Sequence, residues 1–194
     1  MPIVRTINNL EKRIINNEVY RNWRLYLDKL LHNHVYIALD HIYFVDVYVV
    51  DNSIIPLIRS LKNKKLIHHL MYLGFFIGKV KTKHKRISFI PSLELGYIIG
   101  INAKRNLVKI TEESEKLFLY GRDLFVKSIV DAHLPLLRSH YVIVINKNNE
   151  YVGLGIATRN ILNLYDLNKL KIIDPDHVLI KNYIDLGWYL RKGG

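Results

Sequence analysis

His140-Tyr141-Val142-Ile143-Val144-Ile145, Asn146-Lys147-Asn148-Asn149 and Glu150-Tyr151-Val152-Gly153-Leu154-Gly155-Ile156-Ala157 are read together. Two apolar, β-branched runs flank an Asn/Lys turn, which predicts a β-hairpin. Gly153 and Gly155 stand two apart, so at strand spacing both project to one face and leave it without side chains. Glycines within a strand mark a bulge or the close approach of another backbone. The residues alone leave two readings open: a packed strand or helix on the bare face, or a functional close approach.

The rest of the 194-residue chain bounds what this hairpin can belong to. The length suits one large domain or two small ones. A hydrophobic fraction of 49% excludes a mainly disordered chain. The net charge of +12 and pI near 9.7 favour a polyanionic partner, either nucleic acid or an anionic membrane surface. There is no cysteine, which removes disulfides, thiolate metal sites and cysteine nucleophiles. Met1 to Thr6 runs into Asn-rich sequence rather than a secretory signal. The longest apolar stretch, Leu66 to Gly78, holds His68 and His69 and is too short to span a bilayer.

Upstream, Ile7, Leu10, Ile14 and Ile15 recur at helical spacing, with Thr6 as candidate cap. Asn16-Asn17 weakens the pattern, which resumes through Val19, Trp23, Tyr26, Leu27, Leu30 and Leu31. Strands are expected over Val35–Leu39, Ile42–Val50 and Leu70–Ile77. Asp51-Asn52-Ser53 offers a cap for a short helix through Leu61. Gly100 to Arg105 is the candidate domain boundary. Downstream, a strand over Leu107–Ile110 precedes a helix started by Thr111-Glu112-Glu113-Ser114. That helix, or two divided at Gly121-Arg122, is expected to carry Leu117, Phe118, Leu124, Phe125 and Ile129. After the hairpin, Asn163 to Asn168 reads as a loop and Ile172 to Ile180 as a strand broken by Pro175.

The densest charge run is Lys79-Val80-Lys81-Thr82-Lys83-His84-Lys85-Arg86. In an extended segment Lys79, Lys81, Lys83 and Lys85 share a face at roughly 6–7 Å spacing, close to that of successive phosphates. Such a row of like charges repels itself until a polyanion binds. The alternative is an edge strand guarded by lysines against aggregation.

Catalytic chemistry finds little support. The nine histidines include no His-Glu-x-x-His, and His32-x-His34 and His68-His69 lack a carboxylate partner. There is no P-loop, no G-x-G-x-x-G and no G-x-S-x-G. Asp40, Asp46 and Asp51 are explained by turn and cap roles. What remains is charge interleaved with aromatics, as at Trp188, Tyr189, Arg191 and Lys192, which suits stacking on unpaired bases with cations on the backbone. Core packing of Trp188 or Tyr189 is the competing reading.

Four stretches together resemble a known family. Gly153-Leu154-Gly155-Ile156-Ala157 is similar to the closing hairpin of a PUA domain, an RNA-binding pseudobarrel. Leu73-Gly74 with Gly78-Lys79-Val80-Lys81-Thr82-Lys83-His84-Lys85 resembles the "LG…GKFTKTHK" segment of the Nip-seven family of archaeal and eukaryotic large-subunit biogenesis factors. Phe118-Leu119-Tyr120-Gly121 with Val126-Lys127-Ser128 resembles its "FLYG…LKS", and Asp185 to Arg191 its "DIGEYLR". The matches keep the family's order from Leu73 to Arg191. Ile129 replaces the family's glycine after "LKS", and Tyr151 the proline before the Gly-x-Gly pair.

The resemblance implies an α+β chain with an N-terminal α/β domain, residues 1–100, built on an antiparallel sheet. Residues 101–194 would form a C-terminal PUA β-pseudobarrel. It implies a non-catalytic, cofactor-free RNA-binding protein of pre-rRNA processing and large ribosomal subunit assembly, preferring U- or AU-rich single strands. Its expected RNA contacts are Arg159, Lys169, Lys171, Lys181, Arg191 and Lys192, beside the run Lys79, Lys81, Lys83, Lys85 and Arg86. Expected partners are pre-rRNA, pre-ribosomal proteins and the RNA exosome, with no membrane and a monomeric chain. Expected location is cytoplasmic, or nucleolar in a eukaryote, and an archaeal source fits the composition. The alternatives are an RNA-modifying enzyme with a PUA appendage and a protein-interaction scaffold in pre-ribosomal particles.

Overall fold

The computed structural model describes residues 3–56, 74–83 and 86–192. The chain packs as two units: Met1–Val19 with Tyr26–Leu95, and Tyr20–Leu25 with Gly96–Gly194.

The first unit holds a five-stranded antiparallel sheet of β1 (Ile3–Thr6), β2 (His34–Asp40), β3 (Phe44–Asp51), β4 (Phe75–Lys83) and β5 (Arg86–Pro91), in that order. Val, Ile, Tyr and Phe dominate these strands because branched and aromatic side chains fit a pleated, half-buried surface. Val47, Val49, Ile77, Val80 and Phe89 are buried, each contributing roughly 1.5–3 kcal/mol. Position β4 lies inside the sheet, hydrogen-bonded on both sides. The edge-strand reading of its lysines is therefore corrected. The Leu70–Ile77 strand begins at Phe75 within the described residues, and its earlier part lies outside them.

Helix α1 (Asn9–Trp23) runs unbroken through Asn16-Asn17, and α2 (Leu27–Leu30) follows. Its cap is Asn8 rather than Thr6, because Thr6 is paired into β1. Asn8 Oδ1 accepts from Glu11 N at 2.8 Å, and Asn8 N donates to Glu11 Oε2 at 2.8 Å. This reciprocal pair satisfies two helix-end donors. Arg5 ties the cap to the sheet, reaching Glu11 at 2.6 Å and Asp40 at 2.7 Å.

Burial raises the Glu11 carboxyl, but hydrogen bonds from Arg5 and Asn8 and the Arg5 charge outweigh it. The net pKa lies below the usual carboxylate range. A depressed folded pKa stabilises the fold above the unfolded carboxyl's pKa, and this contribution fades as pH falls through the folded value. Glu11→Gln is expected to cost roughly 1–3 kcal/mol at neutral pH. It should also flatten the loss of stability below about pH 4.3. Denaturant melts at pH 7 and pH 3 measure both; an acid limb as steep as wild type contradicts the assignment.

The second unit contains a curled half-barrel sheet. Its strands are β6 (Leu107–Ile110), β7 (Leu124–Phe125), β8 (Ile129–His133), β9 (Tyr141–Ile145), β10 (Tyr151–Ala157) and β11 (Val178–Asp185), ordered β7-β11-β10-β9-β6-β8. Among the described residues of this sheet, the β6–β9 pairing is parallel and the others are antiparallel. Helix α3 (Leu93–Ile99) leads in from the first unit; α4 (Glu112–Leu119), α5 (Leu164–Ile173) and α6 (Trp188–Lys192) accompany the sheet. Phe118, Leu124, Val126, Ile129, Val142, Val144, Val152, Leu179 and Ile180 share one core.

Three sequence expectations change here. Helix α4 starts at its Thr111 cap as expected but stops at Leu119. Gly121, at φ 82°, donates to Phe118 O at 2.8 Å, and Arg122 N donates to Leu117 O at 3.1 Å. This is the paired bonding of a Schellman terminus, where glycine accepts the left-handed conformation. Leu124, Phe125 and Ile129 therefore lie in strands. Asn163 to Asn168 is not a loop: Asn163 Oδ1 accepts from Asp166 N at 2.9 Å and caps α5. The expected strand from Ile172 begins at Val178, and Ile172 and Ile173 end α5 with exposed side chains.

The opening hairpin forms as expected. Asn146 Oδ1 accepts from Asn148 N at 3.0 Å and Glu150 N at 2.9 Å, shaping the turn. Strand β11 explains the two glycines. A Cβ at Gly153 would lie 2.5 Å from Ile184 O, and one at Gly155 would clash with Ile180 Cγ2. The register slips between Leu154 and Gly155, so a bulge accompanies the close approach.

Candidate nucleic-acid interface

The second unit brings two of the expected cations, Arg159 and Lys169, to one groove. Leu136 pairs with Ile161 in an isolated antiparallel bridge, and Arg138 N donates to Asn160 Oδ1 at 2.8 Å. These links hold the loop before β9 against the turn after β10. The cap at Asn163 then aims α5 back along that turn. Arg159, Asn160 and Ile161 consequently face Asp166, Lys169, Leu170, Ile173 and Asp174 across an open groove of about 440 Å³.

Arg159 and Lys169 are exposed, and neither is ion-paired among the described residues. The groove's two carboxylates are partly engaged. Asp166 Oδ2 accepts from Leu162 N at 3.2 Å, and Asp174 lies 3.4 Å from the His177 ring. Arg138, exposed on the adjoining loop, was missed by sequence reasoning because its neighbour Asn160 is 22 residues away. Lys171 is half-buried on α5, and Lys181 is exposed on β11. The arrangement offers exposed cations beside a concave wall, which suits contact with an anionic backbone.

Arg191 is differently placed. Its guanidinium makes two hydrogen bonds of 2.9 Å to Asp185, whose carboxylate is fully buried, and a further one to Leu119 O. Asp185 also accepts from Asn182 Nδ2 at 3.0 Å. The Asp185 hydrogen bond raises the Arg191 pKa against the opposing effect of burial, and the Asp185 charge adds to the rise. Arg191 thus fastens α6 to the end of α4. Beside it, Leu119, Tyr120, Val152, Leu186 and Leu190 line a largely apolar groove of about 510 Å³. Trp188 and Tyr189 meet edge to face at 5.1 Å, with Tyr189 exposed and Trp188 half-buried. Lys192 ends α6, and its side chain lies outside the described residues.

The lysine run lies in the first unit. Lys79 is 3.2 Å from Asp46, and its ammonium sits 4.5 Å from the Phe44 ring centroid. Lys81 is exposed opposite Phe44 and Ser88. Lys83 and Arg86 pair through their backbones at the β4–β5 turn. Lys85 and the side chains of Lys83 and Arg86 fall outside the described residues.

Residues 106–194 match the UPF0113 PUA domain family model. A UPF0113 protein of Archaeoglobus fulgidus is 33% identical over 120 residues, 62% of each chain. One from Aeropyrum pernix is 30% identical over 122 residues, 62% of this chain and 58% of that protein. The match thus spans about three-fifths of the length of these curated relatives. Among solved structures, a conserved PUA domain protein from Thermoplasma acidophilum aligns over 97% of both chains with a TM-score of 0.59 at 15% identity. That likeness shows the fold: the C-terminal half is a PUA pseudobarrel within an α+β chain.

Proposed function

We propose, from the PUA fold of the C-terminal half, that this chain is an RNA-binding protein. The observation that carries the reading is the meeting of Arg159 and Lys169, both without ion-pair partners among the described residues, across the groove beside α5. Net charge of +12 supplies long-range attraction to a polyanion. Phosphate contacts would provide most of the affinity, and exposed aromatics the preference for unpaired bases.

The finer role is pre-rRNA processing and large ribosomal subunit assembly, on U- or AU-rich single strands, without catalysis. Its support is the ordered set of sequence resemblances from Leu73 to Arg191. Pre-ribosomal proteins and the exosome are the proposed protein partners, and the cytoplasm of an archaeal cell the proposed location. The exposed Tyr120, Leu186 and Leu190 beside Arg191 favour a protein-docking function in addition.

Binding of the full chain to oligouridine and oligocytidine over a salt series tests the reading. The expected result is tighter binding to oligouridine and a log–log salt slope of about −0.7 for each phosphate engaged. Binding no tighter than that of a generic polycation of equal charge contradicts it.

A further inference from the structure

A second basic cluster in the C-terminal unit lies among residues outside the Arg159–Lys169 groove. It forms where the end of α1 meets the segment before β6, both within that unit. Asn22 and Asn106, each fully buried, lock the two together: Asn106 Nδ2 donates to Asn22 O at 2.5 Å. Asn22 Oδ1 in turn accepts from Tyr141 N at 2.8 Å, and Lys104 N donates to Trp23 O at 2.9 Å. This framework brings Arg24, Lys104, Arg105 and His140 to one place.

The cluster is positively charged, and among the described residues no carboxylate is ion-paired to Arg24, Lys104 or Arg105. Arg105 is only 9% exposed, donates through Nη2 to Arg21 O, and leaves its buried Nε without a hydrogen bond. A buried guanidinium normally has a carboxylate partner, because desolvation is otherwise uncompensated. Here burial lowers the Arg105 pKa, and the neighbouring Arg24 charge lowers it further. His140 shares the Arg21 carbonyl; burial, then Arg21 and Arg105, hold its pKa below the usual imidazole range. Arg24 also holds a left-handed backbone, φ 57°, at a helix end where glycine is usual. An arginine kept in that conformation, stacked 5.0 Å from the Tyr20 ring, is held in a defined place.

An aromatic pair adjoins these cations. Val142 and Val144 face the barrel core, so Tyr141 projects to the opposite face of β9. Its ring meets Tyr183 of β11 at 5.1 Å, edge to face. Tyr141, Ile156 and Lys181 form one row across β9, β10 and β11. Cations beside Tyr141, the exposed Tyr183 against its ring and Lys181 on the same row give the order cation, aromatic, cation, which suits phosphate, base and phosphate of a single strand.

We propose that Arg24, Lys104 and Arg105 hold a phosphate of a single-stranded nucleic acid, with Tyr183 stacking on the adjoining base. The inference rests on the RNA-binding reading but assigns a second contact region, apart from the Arg159–Lys169 groove. The test uses the full chain and a labelled ten-residue oligouridine over a salt series. Arg24→Asn with Lys104→Ala is expected to weaken binding about tenfold and flatten the salt slope by about 0.7, the one phosphate they hold. Asparagine tolerates the left-handed backbone and both sites are exposed, so folding is kept. Tyr183→Leu is expected to weaken binding about fivefold or more with the slope unchanged, as loss of stacking requires. If wild type binds and both variants match it, the second site is overturned while RNA binding stands. If wild type does not bind, both fall.

Discussion

Reversing Arg159 and Lys169 together to glutamate is expected to weaken single-stranded RNA binding on the order of 100-fold at low salt. The two cations face one groove, and the wall already holds Asp166 and Asp174. Two reversed charges would turn a groove of two cations and two carboxylates into one lined by four negative charges, which repels a polyanion. The salt slope is expected to flatten by at least about 1.4, because two phosphates lose their counter-cations. The fold should be indifferent, since neither side chain is ion-paired among the described residues. Matching melting temperatures with lost binding is the expected signature. Retained binding with an unchanged slope places the phosphate contacts elsewhere. Reversing Arg191 is not an equivalent test, because it would strand the buried Asp185 carboxylate and release α6.

One of the largest expected losses of stability in the C-terminal unit comes from a residue near the N-terminus. Trp23 is 1% exposed and belongs to the segment Tyr20–Leu25, which packs with residues from Gly96 onward. Trp23→Ala is expected to cost roughly 3–5 kcal/mol. Phe118→Ala, in the barrel core, should cost a similar amount in the same transition. The comparison is made by denaturant melts of the full chain, followed through the amides of β9 and β10. If those amides unfold at the wild-type midpoint in Trp23→Ala, the end of α1 is not a structural part of the barrel unit. The same packing implies that residues 101–194 alone would lack the Asn22 acceptor for Tyr141 N. Binding to RNA is therefore better measured on the whole chain.

The local parts of this fold were legible in the sequence. The hairpin from His140 to Ala157 announces itself by β-branched runs around Asn146–Asn149, and Thr111 before three acidic residues marks a helix start. Helix α5 was hidden because its stripe is narrow: Leu167 is buried, while Leu164, Ile172 and Ile173 are exposed, so periodicity reported no clear face. The Asn163 cap was the available signal. Beyond Gly121 the apolar residues kept an apparent helical rhythm, and only the glycine marked where the chain turns.

The site was legible in part. Arg159 and Lys169 came from their place in a family resemblance, and the structure shows that they face one groove. That Arg191 fastens α6 was hidden because the burial of its partner Asp185 is a tertiary fact. Arg24 and Arg105 could not be joined by any local pattern. Their association depends on contacts between segments 84 residues apart.

The central claim is that the PUA unit is the RNA interface. Its most direct measurement is the change in backbone amide resonances of the full chain as oligouridine is titrated in at moderate salt. The account predicts perturbations at Arg138, Arg159, Asn160 and Lys169, with a second group at Arg24, Lys104 and Tyr183. Perturbations confined to β4 around Lys79 and Lys81, or none at saturating RNA, would contradict it.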